Sequence, residues 1–376
     1  MSNLSSPVYI TDIVTAVPPR SYTQEEARQF ITGLSRYSDA QKRFLHRIYE
    51  STAIEKRHTV VEDYHRRPEE YQFYSPNKDL EPEPGLEKRN DLFITHAADL
   101  SVKAVRDLLE RRRSDLDPLS ITHLITVSCT GFSAPGFDFE IMRRIPLAPT
   151  VHRFHLGFMG CFAAFPALKL GHSICTADPD ARVLIVNVEL CSLHLQLKAE
   201  TDMMVANALF ADGVSATLIT GAAGLPEERP PGARGLRMLD YAGRVIDGSE
   251  SDMAWRIGPI AFDMRLSAYV PKFIQRNIAG VVDDLLAGSN RTRGDVDTWA
   301  IHPGGRAILD RAADALDLDT EAFADSYAVL REYGNMSSAT IFFVLQRILE
   351  RGDGGKIFAA AFGPGLTVES ALFQAV

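Results

Sequence analysis

Three side chains far apart in the chain have the types that nucleophilic catalysis needs. Cys161 closes the stretch GFMGC (157–161), and the residues after it, through Ile174, read as a helix. Gly157 and Gly160 allow a tight turn in front of the sulfur, which then stands at or near a helix N-terminus. Free backbone N–H groups and the helix dipole there favour thiolate over thiol. Packing as a small buried hydrophobe is the competing role. His302 ends the apolar run of WAIHPGG (299–305), and the Pro-Gly-Gly after it forces a turn, leaving the imidazole at a strand end, where sites in α/β sheets gather. Asn335, in YGNMSSAT (333–340), precedes Ser337 and a helix that it can equally well cap. A thiol with two such partners serves two chemistries. In hydrolysis the imidazole activates the thiol and the amide orients the imidazole; in acyl transfer the sulfur carries an acyl group while both partners donate to a developing oxyanion. The Cys–His spacing is compatible with a thiol protease. The absent CG[SA]CW context and the apolar FMGCFAAF surroundings, in which Phe158, Met159 and Phe162 would line the site, suit a buried acyl tunnel better.

The elements that must position these residues alternate between strand and helix. A short apolar strand is expected at Val8 to Val14, a charge-rich helical stretch from Thr23 to about Lys56, a proline-rich surface loop from Tyr64 to Lys88, and an amphipathic helix from Leu92 to Arg111. ITHLITVS (121–128), VLIVNV (183–188) and ATLIT (216–220) are nearly continuous β-branched apolar runs, the signature of strands covered on both faces. The Gly/Pro-rich segment 221–235 marks a boundary, after which helices over 269–286, 305–316 and 337–351 alternate with strands at 298–301 and 357–362. The reading is two successive α/β halves, residues 1–224 with the cysteine and 225–376 with the histidine and asparagine.

Composition narrows the class. With 376 residues, 45% hydrophobic and 24% charged, the chain can bury a large core. A formal charge of −9 argues against a general nucleic-acid or anionic-membrane surface. No apolar run is long enough to span a membrane, and the start MSNLSSPVYI has no secretion-signal pattern, so a cytoplasmic protein is expected. Cys129, Cys161, Cys175 and Cys191 lack disulfide-framework or zinc-type spacing, and no metal is expected.

Taken together, KRH (56–58), CTGFSAPGFD (129–138), GFMGC, ALFADG (208–213), IHPGGRAIL (301–309), YGNMSSAT and GPGLTVES (363–370) resemble the type III polyketide synthases, the chalcone-synthase-like branch of the thiolase superfamily, over nearly the whole chain. The resemblance implies a duplicated, five-layered αβαβα thiolase-like body forming a homodimer, which acts on coenzyme A thioesters without a permanently bound cofactor. It implies that Cys161 carries the acyl chain, that His302 and Asn335 are its partners, and that Phe210 is the aromatic residue beside the reacting carbons. Malonyl-CoA would lose CO2, and its carbanion would extend an acyl starter held on Cys161. For the CoA phosphates the cluster Lys42, Arg43, Arg47, Lys56 and Arg57 offers a cationic mouth, with Arg47 nearest a family phosphate contact; a solvated helix face is the alternative. Ala307 matches a position whose backbone N–H meets the cofactor.

The departures from the plant pattern fall on the expected cavity wall. Cys129, followed by Thr130, replaces a hydroxyl residue, His194 a small polar one, and Trp255 stands near a family glycine. Met264 by count, or Phe262 by type, matches a second gatekeeping aromatic, and Ser337 completes the wall. Ala134 replaces a bulkier residue that reaches across the dimer interface in the family. The expectation is a fatty acyl starter and an alkylpyrone or alkylresorcinol product. A single-condensation ketoacyl synthase, a Cys-His-Asn thiol hydrolase and a non-catalytic scaffold of the same fold stand as alternatives.

Overall fold

The computed structural model describes residues 7–222, 235–247, 252–267, 269–352 and 354–376. Before residue 223 lie the strands β1 (Val8–Ala16), β2 (Arg20–Thr23), β3 (Lys56–Thr59), β4 (His123–Ser128), β5 (His152–Gly157), β6 (Arg182–Leu190) and β7 (Asp212–Gly221). With them are the helices α1 (Gln24–Thr32), α2 (Asp39–Ser51), α3 (Leu86–Arg111), α4 (Phe137–Arg144), α5 (Ala164–Ala177) and α6 (Thr201–Leu209). After residue 234 follow β8 (Leu236–Val245), β9 (Met253–Ile257), β10 (Phe262–Leu266), β11 (Thr298–Ile301), β12 (Gly355–Gly363) and β13 (Thr367–Ala375). The helices there are α7 (Val270–Gly288), α8 (Arg306–Leu316), α9 (Ala324–Tyr333) and α10 (Thr340–Arg351). The expected division at 224/225 lies outside the described residues.

Nine strands form one sheet in the order β11-β12-β13-β8-β1-β7-β6-β4-β5. Among the described residues its two sides meet through two residue pairs, Tyr9 with Arg237 and Ile10 with Leu236. Outward from that seam each side repeats the other: β1 antiparallel to β7, β7 to β6, then β6 parallel to β4; and β8 antiparallel to β13, β13 to β12, then β12 parallel to β11. This is the strand-level form of a duplicated thiolase-like body. Helices complete five layers. The outer helix α3 packs on β1, β6 and β7, α5 and α10 lie against strands of both sides, and α7 packs on β8 and β13 with α8 beside it.

The helical sequences explain which layer each occupies. Between the two sheet halves both faces of a helix are covered, so Ile341, Phe342, Val344, Leu345 and Ile348 of α10 are all buried, as are Ala164, Phe165, Ala167, Leu168 and Gly171 of α5. Gly171 lets α5 approach the sheet, since a Cβ there would lie 2.8 Å from Ile219 Cδ1. The outer helix α3 keeps one apolar stripe, including Phe93, Ala97, Val105 and Leu108.

Several boundaries differ from the sequence expectation for local reasons. The stretch from Thr23 to Lys56 is two helices and a strand, because Thr23 and Ser38 each begin a helix with a capping box and Gly33 ends the first. The helix expected from Leu92 starts one and a half turns earlier, at Leu86. Residues 337–339 form a 3₁₀ turn, and α10 begins at Thr340.

Candidate functional site

Cys161 sits in the reversal between β5 and α5. Phe158 (φ 61°) and Gly160 (φ 91°) both adopt left-handed backbone there. At Gly160 only glycine fits, because an added Cβ would stand 2.1 Å from Pro364 Cδ. The Ala163 N–H closes the turn on Gly160 O at 3.0 Å, and α5 starts at Ala164. His302 follows β11, held by its N–H to Ala360 O at 2.8 Å, and is 1% exposed. Neither imidazole nitrogen has a hydrogen-bond partner. Asn335 follows Gly334, whose φ is 73°. Its backbone bridges Phe210: Asn335 N–H donates to Leu209 O at 2.9 Å, and Ala211 N–H donates to Asn335 O at 2.8 Å.

These four residues line one inner cavity of about 60 Å3, and Leu266, Gly304 and Ile308 are shared with an outer cavity of about 290 Å3. The two form a chamber and its mouth. Burial pushes the Cys161 thiol up to about 12 against the lowering effect of the nearby Ser337 and Asn335 side chains, and burial pushes the His302 imidazole down to about 3. The thiolate expected from a helix end is therefore opposed by desolvation, which favours a neutral thiol and a neutral imidazole in the same cavity.

Behind the cavity lies a buried polar frame. Glu189 accepts the Cys129 N–H at 3.0 Å, the Thr130 hydroxyl at 3.1 Å and the Ser338 hydroxyl at 2.5 Å. Burial nevertheless raises this carboxyl to about 7. Cys129 Sγ accepts the Gly160 N–H at 2.9 Å, so the second thiol supports the turn of the first. His194 Nδ1 accepts the Phe262 N–H at 3.1 Å, which leaves the Nε2–H to donate to Thr130 O at 2.7 Å. Burial holds this ring neutral, its pKa pushed down to about 3. The Trp255 indole donates to Cys129 O at 2.7 Å, tying the β9–β10 hairpin to the same wall.

Of the residues expected on the wall, Cys129, Thr130, His194, Trp255, Met264 and Ser337 line the inner cavity, and Ala307 lines the mouth. Phe262 does not; its ring stacks on His194 at 4.2 Å and lies behind it. Phe158, Met159 and Phe162 are likewise off the wall. Phe162 is turned into the central core, and Phe158 packs edge-on against Phe262. Lys42, Arg43 and Arg47 line neither cavity, although Ile48, Ser51 and Thr52 from the same end of the chain line the mouth. Arg57 is not a mouth residue either: it is 2% exposed and lines the inner chamber. Sequence reasoning missed Arg306 and Asp202 at the mouth and Glu189 in the frame. Arg306 had a signal, being a cation that opens a helix directly after Gly-Gly. Glu189 had only a weak one, a lone carboxylate in an apolar strand. Among the described residues no group of three or more His, Cys, Asp or Glu is placed to hold a metal ion, and no helix is long and apolar enough to cross a membrane.

Comparison with known proteins bears on the same chain from outside. Residues 4–223 match the family described as chalcone and stilbene synthases, N-terminal domain, and residues 239–376 match its C-terminal domain. The alpha-pyrone synthesis polyketide synthase-like protein Pks18 of Mycobacterium tuberculosis (strain CDC 1551 / Oshkosh) is 30% identical over 373 residues, covering 98% of this chain and 91% of that protein. Among solved structures, PKS-I from the brown alga Ectocarpus siliculosus superposes with a TM-score of 0.91 at 31% identity, covering all of both chains. The 1,3,6,8-tetrahydroxynaphthalene synthase of Streptomyces coelicolor A3(2), a bacterial type III polyketide synthase, gives 0.84 at 27% identity, covering 97% of this chain and 99% of that one.

Proposed function

The chain belongs to the chalcone and stilbene synthase family and is a type III polyketide synthase, a decarboxylating, condensing acyltransferase of coenzyme A thioesters, and from that premise we propose the roles of its residues. This membership sets aside the single-condensation ketoacyl synthase, the thiol hydrolase and the scaffold. Cys161 is the acyl carrier. Its proton passes to His302, a transfer that leaves the net charge of the pair unchanged and so avoids bringing a lone charge into the dry cavity. The sulfur attacks the starter thioester, and the departing CoA sulfur takes the proton back from His302. Malonyl-CoA then enters, its carboxylate leaves as CO2, and the electron pair moves onto the thioester oxygen as an enolate. An imidazole N–H of His302 and the Asn335 amide N–H donate to that oxygen. The enolate carbon attacks the Cys161 thioester, the Cys161 sulfur leaves, and the chain is two carbons longer on CoA. Phe210, beside Asn335, forms the apolar wall at the reacting carbons.

What supports this reading most is the convergence of Cys161, His302 and Asn335 on one enclosed cavity, with both imidazole nitrogens free of protein partners. CoA would enter past Ala307, at the start of α8, with Arg306 beside it. Leu195, Met203, Met253 and Met264 make the inner wall apolar, which together with the alpha-pyrone chemistry named for the mycobacterial relative favours a fatty acyl starter and an alkylpyrone product. A homodimer is proposed from β5, an edge strand whose residues His152 to His155 are exposed, with Phe154 and the nearby Phe132 and Phe139 each more than 40% exposed. An unpaired edge flanked by exposed phenylalanines is stable when a second copy covers it. The protein is placed in the cytoplasm, where its four free cysteines stay reduced.

The test is incubation with a panel of acyl-CoAs and malonyl-CoA, with loading of the protein and products both followed by mass. Cys161→Ala is expected to abolish loading, whereas Cys129→Ala keeps loading and at most changes products. Equal loss of loading in both would overturn the assignment.

A further inference from the structure

Arg57 is a cation that the chemistry above does not use, although it lines the catalytic chamber. It comes from β3, is 2% exposed, and forms no ion pair with a carboxylate among the described residues. Burying a guanidinium in this way is costly unless its donors are matched and its charge is balanced. Here Nη1 donates to Asn207 O and to Phe210 O, both at 2.8 Å, whereas Nε has no partner, and the buried Asp212 carboxyl is near enough to feel the charge. These carbonyls belong to the last turn of α6 and to its C-cap, the negative end of the helix dipole. The rings of Tyr22 and Tyr49 face the guanidinium carbon at 5.0 and 5.8 Å and add cation–π attraction.

The methylenes of the same side chain meet the turn that carries Asn335. Gly334 has φ 73°, and a Cβ on it would lie 2.9 Å from Arg57 Cγ and 3.1 Å from Cδ. Arg57 thus hydrogen-bonds one partner of the short backbone bridge between Phe210 and Asn335 and packs against Gly334, the residue just before the other. We propose that Arg57 is a positioning residue for condensation: a buried guanidinium that fixes Phe210 and the Asn335 amide relative to each other, and hence the amide N–H relative to the enolate oxygen. The inference rests on the donor role given to Asn335 above. Loading of Cys161 by the starter forms no enolate, so loss of the donor should weigh on condensation far more than on loading, and the two half-reactions should respond differently.

The experiment measures single-turnover acylation of Cys161, CO2 release from malonyl-CoA and steady-state condensation in Arg57→Lys, Arg57→Met and Gly334→Ala, with Asn335→Ala alongside. Lysine keeps the charge but ends one bond short of Nη1, the nitrogen that donates to both carbonyls. A displacement of about 1 Å in a catalytic group typically costs about a hundredfold. The expected result is a kcat for condensation and CO2 release lower by about a hundredfold in Arg57→Met and by less in Arg57→Lys, with acylation within about threefold of wild type and the KM for malonyl-CoA little changed. Gly334→Ala, whose methyl would press on these methylenes and on Leu209 O, the acceptor of the Asn335 N–H, displaces the Asn335 turn directly and should show the same split. Parallel loss of acylation and condensation in every folded variant means a merely structural role and overturns the proposal, as does unchanged condensation. Normal CO2 release in Asn335→Ala would instead sink the donor assignment, and the inference with it.

Discussion

Asn335 Oδ1 accepts the backbone N–H of Ser337 at 2.9 Å, and this bond decides which end of the amide faces the nucleophile. With the oxygen engaged, Nδ2 donates one hydrogen to Gly304 O at 3.2 Å and has the other left for the chamber, where the amide acts to lower the Cys161 thiol. Asn335→Asp should keep the Ser337 bond and lose the donor, placing a carboxylate where enolate charge develops. CO2 release from malonyl-CoA is expected to fall by about 10²–10³ while starter loading persists. Scintillation counting of released CO2, set against intact-protein mass, checks it.

The neutral thiol and imidazole make a statement about pH. In His302→Gln no base accepts the Cys161 proton, and the thiol, pushed up by burial to about 12, ionises only in alkaline solution. Alkylation of Cys161 by iodoacetamide should then rise about tenfold per pH unit between pH 7 and 10. A rate that levels off below pH 8 would mean that burial does not govern this sulfur.

Glu189 links stability to pH. Its carboxyl is raised by burial from an ordinary 4.5 to about 7, so the folded state holds a proton that the unfolded chain has released. That contribution is full below pH 4.5 and is lost as pH rises through 7. Between pH 5 and pH 8 the wild type should lose about 2 to 3 kcal/mol relative to Glu189→Gln, which has no such proton to lose. Denaturant midpoints of both proteins at the two pH values measure the difference, and a constant gap would contradict it.

Gly160→Ala is expected to be far more damaging than an average surface change. The new methyl would overlap Pro364 at 2.1 Å, and φ 91° is disfavoured for alanine. A cost of about 3 kcal/mol or more is expected, read as a lowered melting temperature and a loss of Cys161 acylation.

His194 offers a test of wall geometry. His194→Leu removes the bonds to Phe262 N–H and Thr130 O and leaves both groups buried without partners, at about 1 to 3 kcal/mol each. Glutamine, with an NH2 to donate and a carbonyl oxygen to accept, should recover part of the stability. The product spectrum should shift in the leucine variant, and in the wild type it should not vary between pH 6 and 9 on account of this ring, which burial keeps neutral.

Much of the frame could be read from residue order because burial on both faces leaves a mark in composition. Strands β4, β6, β7, β11 and β12 are nearly continuous apolar runs, α5 holds a single charged residue, Lys169, and the first six residues of α10 are all buried. Elements that are half covered left no such mark. The edge strand β5 reads HRFHLG and is almost wholly exposed, and β9 and β10 alternate cavity residues with charged ones in a hairpin apart from the main sheet. Neither could be told from a loop by periodicity.

Residue type and flanking turn-formers were enough to single out Cys161, His302 and Asn335, because a turn needs glycine or proline locally and a nucleophile needs its own side chain. Tertiary structure alone decided their charge states and the composition of the wall. A dipole argument uses neighbours in sequence, whereas desolvation sums over everything packed around a group. For Cys161 that includes Gly363 and Pro364 against its turn and Ser337 at its sulfur, residues that reach it only after the chain has folded. The same holds for Arg57, which sequence places in a basic surface cluster and folding places inside the chamber, where the end of α6 accepts its hydrogen bonds.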